Sequence, residues 1–174
     1  MGEGSVGNDR TGHAMTSRFL LDDLRSQRMY ATTVADRIWR EWWGPHGATL
    51  ADVEAALDEC LDVNDLPVTL VAHESGRFLG TVTCVASDLA ERSQYSPWIA
   101  ALWVEPEERG QGLGAALLGK AEARLRDLGV GTMFLCAKST LRRYYAALGW
   151  ELLEQGVGPH LLDVWRRLAT PAGA

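Results

Sequence analysis

Between Leu113 and Leu128 the apolar residues Leu113, Leu117, Ala121, Leu125 and Leu128 fall on one stripe at helical spacing. Glu122 and Arg126 stand four apart beside it, the spacing of an ion pair on the outer face, so the pattern predicts an amphipathic helix over 113–128. A second helical stripe, Val34, Ile38 and Trp42, predicts a helix over 30–43, broken by Gly44-Pro45-His46-Gly47. Thr49 then offers an N-cap for a helix running to about Cys60, because its hydroxyl accepts from the free amides of a first turn. Elsewhere the pattern changes to β-branched and aromatic runs: Arg18–Leu21, Val68–Ala72, Phe78–Ala86, Thr132–Ala137, Trp150–Gln155 and about 161–168 read as strands. Glu74-Ser75-Gly76-Arg77 joins two of them as a hairpin. Trp98–Val104 is apolar at every position, which suits a central strand buried on both faces. A short helix over 139–148 stops at Gly149. The strand–helix–strand order from 98 to 137 predicts a right-handed parallel crossover. The fold class is therefore α/β with a mixed sheet.

With 174 residues, the chain has room for one domain, expected over 18–170. Residues 1–17, glycine-rich and poor in apolar side chains, are expected to be a disordered tail. The longest apolar run is far shorter than the roughly 18 residues of a membrane span, and no apolar leader opens the chain, so a cytoplasmic protein without a membrane partner is expected. Cys60, Cys84 and Cys136 have neither disulfide nor zinc spacing, and no metal site is expected. The net charge of −6 argues against nucleic acid as a partner. That charge is uneven. Residues 1–100 hold 15 acids against 8 arginines, and residues 101–174 hold 8 acids against 9 bases. Asp52, Glu54, Asp58, Glu59, Asp62 and Asp65 form an uncompensated run, either a solvated helix face or a field that draws a cation.

Glu105-Pro106-Glu107-Glu108-Arg109-Gly110-Gln111-Gly112-Leu113-Gly114 connects the buried strand to the long helix. Glycines let the backbone approach a ligand, the first-turn amides lack helical partners, and the dipole adds positive potential, so the segment is built for an anion such as phosphate. Two known phosphate motifs fail here. The dinucleotide fingerprint needs its first glycine directly after the strand, and a P-loop needs Ser or Thr where Ala121 stands.

The order Val104-x-Pro106, Arg109-x-x-Gly112-x-Gly114, a parallel strand and Tyr144-Tyr145-Ala146-Ala147-Leu148-Gly149-Trp150 resembles the GNAT superfamily of acyl-CoA-dependent N-acetyltransferases. The resemblance runs from about residue 18 to 168. It implies a GNAT-like fold, a mixed six- to seven-stranded sheet flanked by about four helices, and acetyl-CoA as the donor that leaves as CoA. By that resemblance the amides of Gly110, Gln111, Gly112, Leu113, Gly114 and Ala115, helped by Arg109, would cradle the pyrophosphate. Val104 would sit at a strand bulge and bond the pantetheine arm. The amide of Leu102 or Trp103 would face the thioester oxygen, and Tyr145 would protonate the departing thiolate. Lys138 stands where many members carry an Asn that contacts the cofactor. No acid lies on 95–104, where many members carry the base, so Asp88 and Glu91 in the preceding loop are the candidates, acting through water.

The thioester is already activated, so positioning an unprotonated amine is the main task. An alkylamine of pKa roughly 10.4 is about one part in a thousand nucleophilic at neutral pH, so the rate is expected to rise over about pH 7 to 9. In this superfamily the first helices wall the acceptor, which here supplies Trp39, Trp42, Trp43 and His46 beside the acidic run. Aromatic faces next to carboxylates suit a cationic amine, either a small molecule or a basic peptide N-terminus. The sequence leaves monomer and homodimer open. A non-catalytic acyl-CoA sensor and, less closely, a nicotinamide-dependent reductase are the alternative readings.

Overall fold

The computed structural model describes residues 18–62 and 65–169, so the tail expected over 1–17 lies outside the described residues. Seven strands form one sheet in the order β1-β2-β3-β4-β5-β7-β6. They are β1 (Leu20–Asp23), β2 (Val68–Glu74), β3 (Arg77–Val85), β4 (Trp98–Val104), β5 (Thr132–Ala137), β6 (Glu151–Val157) and β7 (Leu162–Leu168). All neighbours run antiparallel except β4 and β5, the pair that the intervening helix requires to be parallel.

Helices α1 (Ala31–Ile38) and α2 (Leu50–Asp62) cover one face. Val34, Ile38, Val53 and Leu57 meet Val71 and Phe78 there. Helices α3 (Leu113–Asp127) and α4 (Arg142–Ala147) join the larger core on the opposite face, where Leu117, Leu118, Ala121 and Leu125 pack against Val68, Leu79, Val82 and Met133. Thr49 is the expected cap of α2, with its hydroxyl accepting from Asp52 N at 3.3 Å. Asp52 completes the exchange by accepting from Thr49 N at 2.7 Å, a reciprocal bond that holds its carboxyl below the usual range.

Two local expectations change. The helix expected over 30–43 is α-helical only to Ile38 and continues as a π-helical turn, Trp39–Trp43. Such turns are rare and concentrate at functional sites. Glu122, expected on the outer face, is buried. It accepts from the Trp150 indole at 3.1 Å and pairs with Arg167 at 3.0 Å, while Arg126 stays at 3.7 Å. The partners that draw it inward, Trp150 just before β6 and Arg167 on β7, lie far along the chain, beyond the reach of helical periodicity.

Candidate functional site

β4 and β5 are paired at Trp98 and Phe134 alone, with Phe134 N donating to Pro97 O at 3.0 Å, and past that point they splay apart. Buried backbone groups seek partners, so an open notch in the middle of a sheet marks a place for a ligand with its own donors and acceptors. On its other side β4 pairs with β3 through a bulge: Thr83 faces Ala100 and Thr81 faces Trp103, so Ala101 and Leu102 share Val82. Ala101 has φ 50°, a strained value for a residue with a Cβ. The bulge therefore lies at Ala101–Leu102 and not at Val104, which is back in register opposite Gly80. Glu105 N donates to Leu79 O at 2.9 Å, so by strand alternation the Val104 amide faces the notch while that of Trp103 faces β3.

From the end of β4 the glycine-rich loop turns into α3. Gly110 and Gly112 have φ 75° and 82°, and Gly112 caps α3 with no side chain on the first-turn amides, so those donors are left for a ligand. A Cβ at Gly114 would meet the Tyr144 hydroxyl at 2.8 Å, which leaves only glycine between α4 and the cradle. Glutamates beside an anion site would oppose it, and two of them are neutralised. Glu105 pairs with Arg37 at 2.7 Å, and buried Glu108 pairs with Arg77 at 2.8 Å and Arg18 at 3.4 Å. Arg109 is steered by a bond from its Nε to Val104 O at 2.9 Å and lies over the Trp103 ring at 4.8 Å. Gln111 has its side chain engaged by Arg18 and the Glu107 carbonyl, and of residues 110–115 it alone does not line the cleft. This geometry fits a diphosphate: open amides at a helix start, one guanidinium, paired acids, and a notch leading inward from them.

That notch opens into a cleft of about 1660 Å³ lined by the loop, both splayed strands and α4. Tyr145 lies in its wall, 7% exposed. Burial, then the neighbouring Tyr144 and Cys136, push its phenol above the usual range, so the hydroxyl is neutral and carries a proton to give. Lys138 lines the same wall at the end of β5. Asp88 also reaches the cleft, where its Oδ2 accepts from the Cys136 thiol at 3.3 Å. Although the residue is exposed overall, protein crowding around the carboxyl raises its pKa, and the thiol bond opposes that rise. Glu91 is not brought to the cleft. Its carboxylate packs on Gly158 in the β6–β7 turn, with Oε1 3.0 Å from where a Cβ would stand.

The acceptor side is assembled from distant segments. Trp42, Trp43 and His46 line the cleft from the π-turn and the break after it. Trp39 does not: its indole donates to Ala48 O at 2.8 Å and its ring packs on Gly44, fixing the turn that presents the others. Trp42 meets Trp103 edge-on with ring centres 6.4 Å apart. The Trp103 indole nitrogen is itself buried without a partner. Of the acidic run, Glu59 alone among the described side chains reaches the cleft, joined by Glu41. Glu54 and Asp58 are on the exposed face of α2, and Asp52 is spent on its cap. Sequence reading missed His160, whose ring lies 4.7 Å from that of His46 across the cleft, and Cys136. No local pattern marks His160, because the β6–β7 turn meets the α1–α2 turn only in the folded chain. Cys136 was readable as the fifth residue of a buried strand but not as an Asp88 partner. Among the described residues no group of three or more His, Cys, Asp or Glu is arranged to hold a metal. No helix there is long and apolar enough to cross a membrane.

A mixed sheet of this topology with helices on both faces is a fold shared with solved structures. An aminoglycoside 6′-N-acetyltransferase complexed with coenzyme A superposes with TM-score 0.67 at 14% identity, covering 89% of this chain and 99% of its own. The Salmonella typhimurium protein yncA with its cofactor acetyl-CoA gives 0.67 at 17%, covering 91% and 98%. A chimera of the spermidine N-acetyltransferase SpeG from Vibrio cholerae and hSSAT gives 0.65 at 14%, covering 88% and 96%. No curated protein matches the sequence. The sequence model of the acetyltransferase (GNAT) family matches residues 32–150, and the chain belongs to that family.

Proposed function

We propose that this protein transfers the acetyl group of acetyl-CoA to a primary amine carrying positive charge, by direct attack with both substrates bound. The observation that carries the reading is the continuity of one cleft from the open amides of Gly112–Ala115, past the β4–β5 notch, to Trp42, Trp43, Glu41 and Glu59. Acetyl-CoA supplies the activated acyl group. The amides of Gly110 to Ala115 and the Arg109 guanidinium hold its diphosphate, and the Val104 amide bonds the arm in the notch. Leu102, at the bulge, is the oxyanion donor, since the Trp103 amide faces β3. Tyr145 gives its proton to the departing thiolate, and Asp88 takes the amine's proton, its raised pKa making it a stronger base than an ordinary aspartate. Aromatic faces and carboxylates at the far end favour a cation, and the aminoglycoside and spermidine enzymes among the structural neighbours act on cationic amines.

Thiol release from acetyl-CoA across a panel of polyamines, aminoglycosides, basic peptides and anionic amines tests this. The cationic acceptors are expected to react fastest, with rates rising over about pH 7 to 9 as the amine loses its proton. Preference for anionic acceptors would discard the charge assignment, and an absence of transfer with retained CoA binding would favour a sensor.

A further inference from the structure

Cys136 is the second residue beyond Phe134 on β5, so it sits where the two strands begin to part, opposite the start of the β4 bulge. Its side chain meets Asp88, which arrives from the β3–β4 loop 48 residues earlier. That loop is pinned. Arg92 Nε donates to Glu154 Oε2 at 2.8 Å, the Tyr95 hydroxyl donates to the same carboxylate at 2.8 Å, and the Tyr95 ring stacks on Phe134 with centres 4.6 Å apart. Asp88 is thus delivered by a fixed loop, and the thiol is the partner that its carboxylate meets within the cleft.

The other ionisable groups around this cleft are Lys138, from the end of β5, and Tyr144 and Tyr145 from α4. Across it stand Glu41 and His46 near the π-turn, Glu59 and Cys60 on α2, and His160 in the β6–β7 turn; Glu108 and Arg109 lie at the loop. Of these, none hydrogen-bonds Asp88. The thiol is a poor nucleophile, since burial and the adjacent carboxylate hold its proton on sulfur, and a protonated sulfur is a donor.

We infer that Cys136 is a positioning residue for the reaction proposed above: its S–H donates to Asp88 Oδ2 and holds that carboxylate, ionised, at the mouth of the β4–β5 notch. This rests on the acetyltransfer reading, in which Asp88 receives the amine's proton. Donation stabilises the charged form, so losing the donor raises the carboxyl's pKa and leaves its orientation free.

The test follows Asp88 by carbon-13 carboxyl NMR in the wild type, Cys136→Ala and Cys136→Ser, with Asp88→Asn assigning the signal. The pH profile of acetyl transfer to a polyamine is measured in parallel, the enzyme's own limb being the one that disappears in Asp88→Asn. In Cys136→Ala both the Asp88 midpoint and that limb are expected to rise by about half a pH unit or more, with acetyl-CoA affinity unchanged. Cys136→Ser, which keeps a donor, is expected to return both. In the unsubstituted chain the infrared S–H stretch of Cys136 is expected to move as Asp88 titrates, a readout that needs no variant to fold. An Asp88 midpoint equal in all three proteins, or an S–H band indifferent to pH, overturns the role of Cys136. So does a limb that stays in place while transfer proceeds. A shifted midpoint in a protein that acetylates no amine overturns the proposed reaction and the positioning role with it, while leaving the hydrogen bond established.

Discussion

The two ends of the cleft are built on opposite principles. At the end proposed for the diphosphate the groups left open are backbone amides, and the side chains around them are spent on one another: Glu105 on Arg37, Glu108 on Arg77 and Arg18, Gln111 on Arg18. At the end proposed for the acceptor the cleft is lined by side chains from four separated segments, with Trp42 and Trp43 from a π-turn, Glu59 from α2, Asp88 from a loop and His160 from a hairpin turn. A backbone site tolerates change in most side chains but not in its glycines. An end made of side chains can be rewritten one residue at a time.

Substitutions at each end separate these principles. The largest effect is expected where the ends meet: Tyr145→Phe removes the proton for the thiolate and should lower kcat by about 10²- to 10⁴-fold while calorimetry shows unchanged CoA affinity. Equal loss of both would place Tyr145 in packing. Gly112→Val puts a β-branched residue at φ 82°, with strain of about 1–3 kcal/mol in the cradle. CoA affinity should fall roughly 10- to 100-fold with the acceptor KM unaltered. Trp43→Ala, at a half-exposed residue of the cleft, is expected to raise the acceptor KM by about 5-fold and leave the acetyl-CoA KM alone, consistent with loss of a cation–π contact of about 1 kcal/mol.

The smallest effect concerns a residue behind both ends. Asp163, fully buried on β7, accepts from Arg142 on α4 at 2.6 and 2.9 Å, and this pairing holds its carboxyl below the ordinary range. A carboxyl depressed in the folded state adds stability that is complete above the unfolded value, about 3.9, and fades as pH falls through the folded value. Asp163→Asn should therefore lower Tm near neutrality, and the gap from wild type should narrow in acid, where both then lack the charge. A gap independent of pH would remove the pairing from the account.

The open start of α3 was legible in the sequence because its determinants are contiguous. A buried strand, a glycine-rich turn and an amphipathic stripe follow one another there, and positive φ at Gly110 and Gly112 and the unpaired first-turn amides are local properties of that run. The α1 and α3 stripes, the Thr49 cap of α2 and the strands were readable on the same ground. The bulge at Ala101–Leu102 was not, because no glycine announces it, and register is set by the whole of β3 lying alongside. Nor was the burial of Glu122, which depends on Trp150 and Arg167 arriving from beyond the helix.

At the acceptor end the sequence by itself determined the ingredients: a tryptophan cluster before a Gly-Pro break, an acidic helix, and two acids in the β3–β4 loop. Tertiary structure decided which of them face the cleft, keeping Trp42, Trp43, His46, Glu59 and Asp88 and directing Trp39 and Glu91 elsewhere. The physical reason is range. Backbone conformation answers to near neighbours, whereas the direction and ionisation of a side chain answer to whatever the fold places beside it, as Cys136 stands beside Asp88 and His160 beside His46.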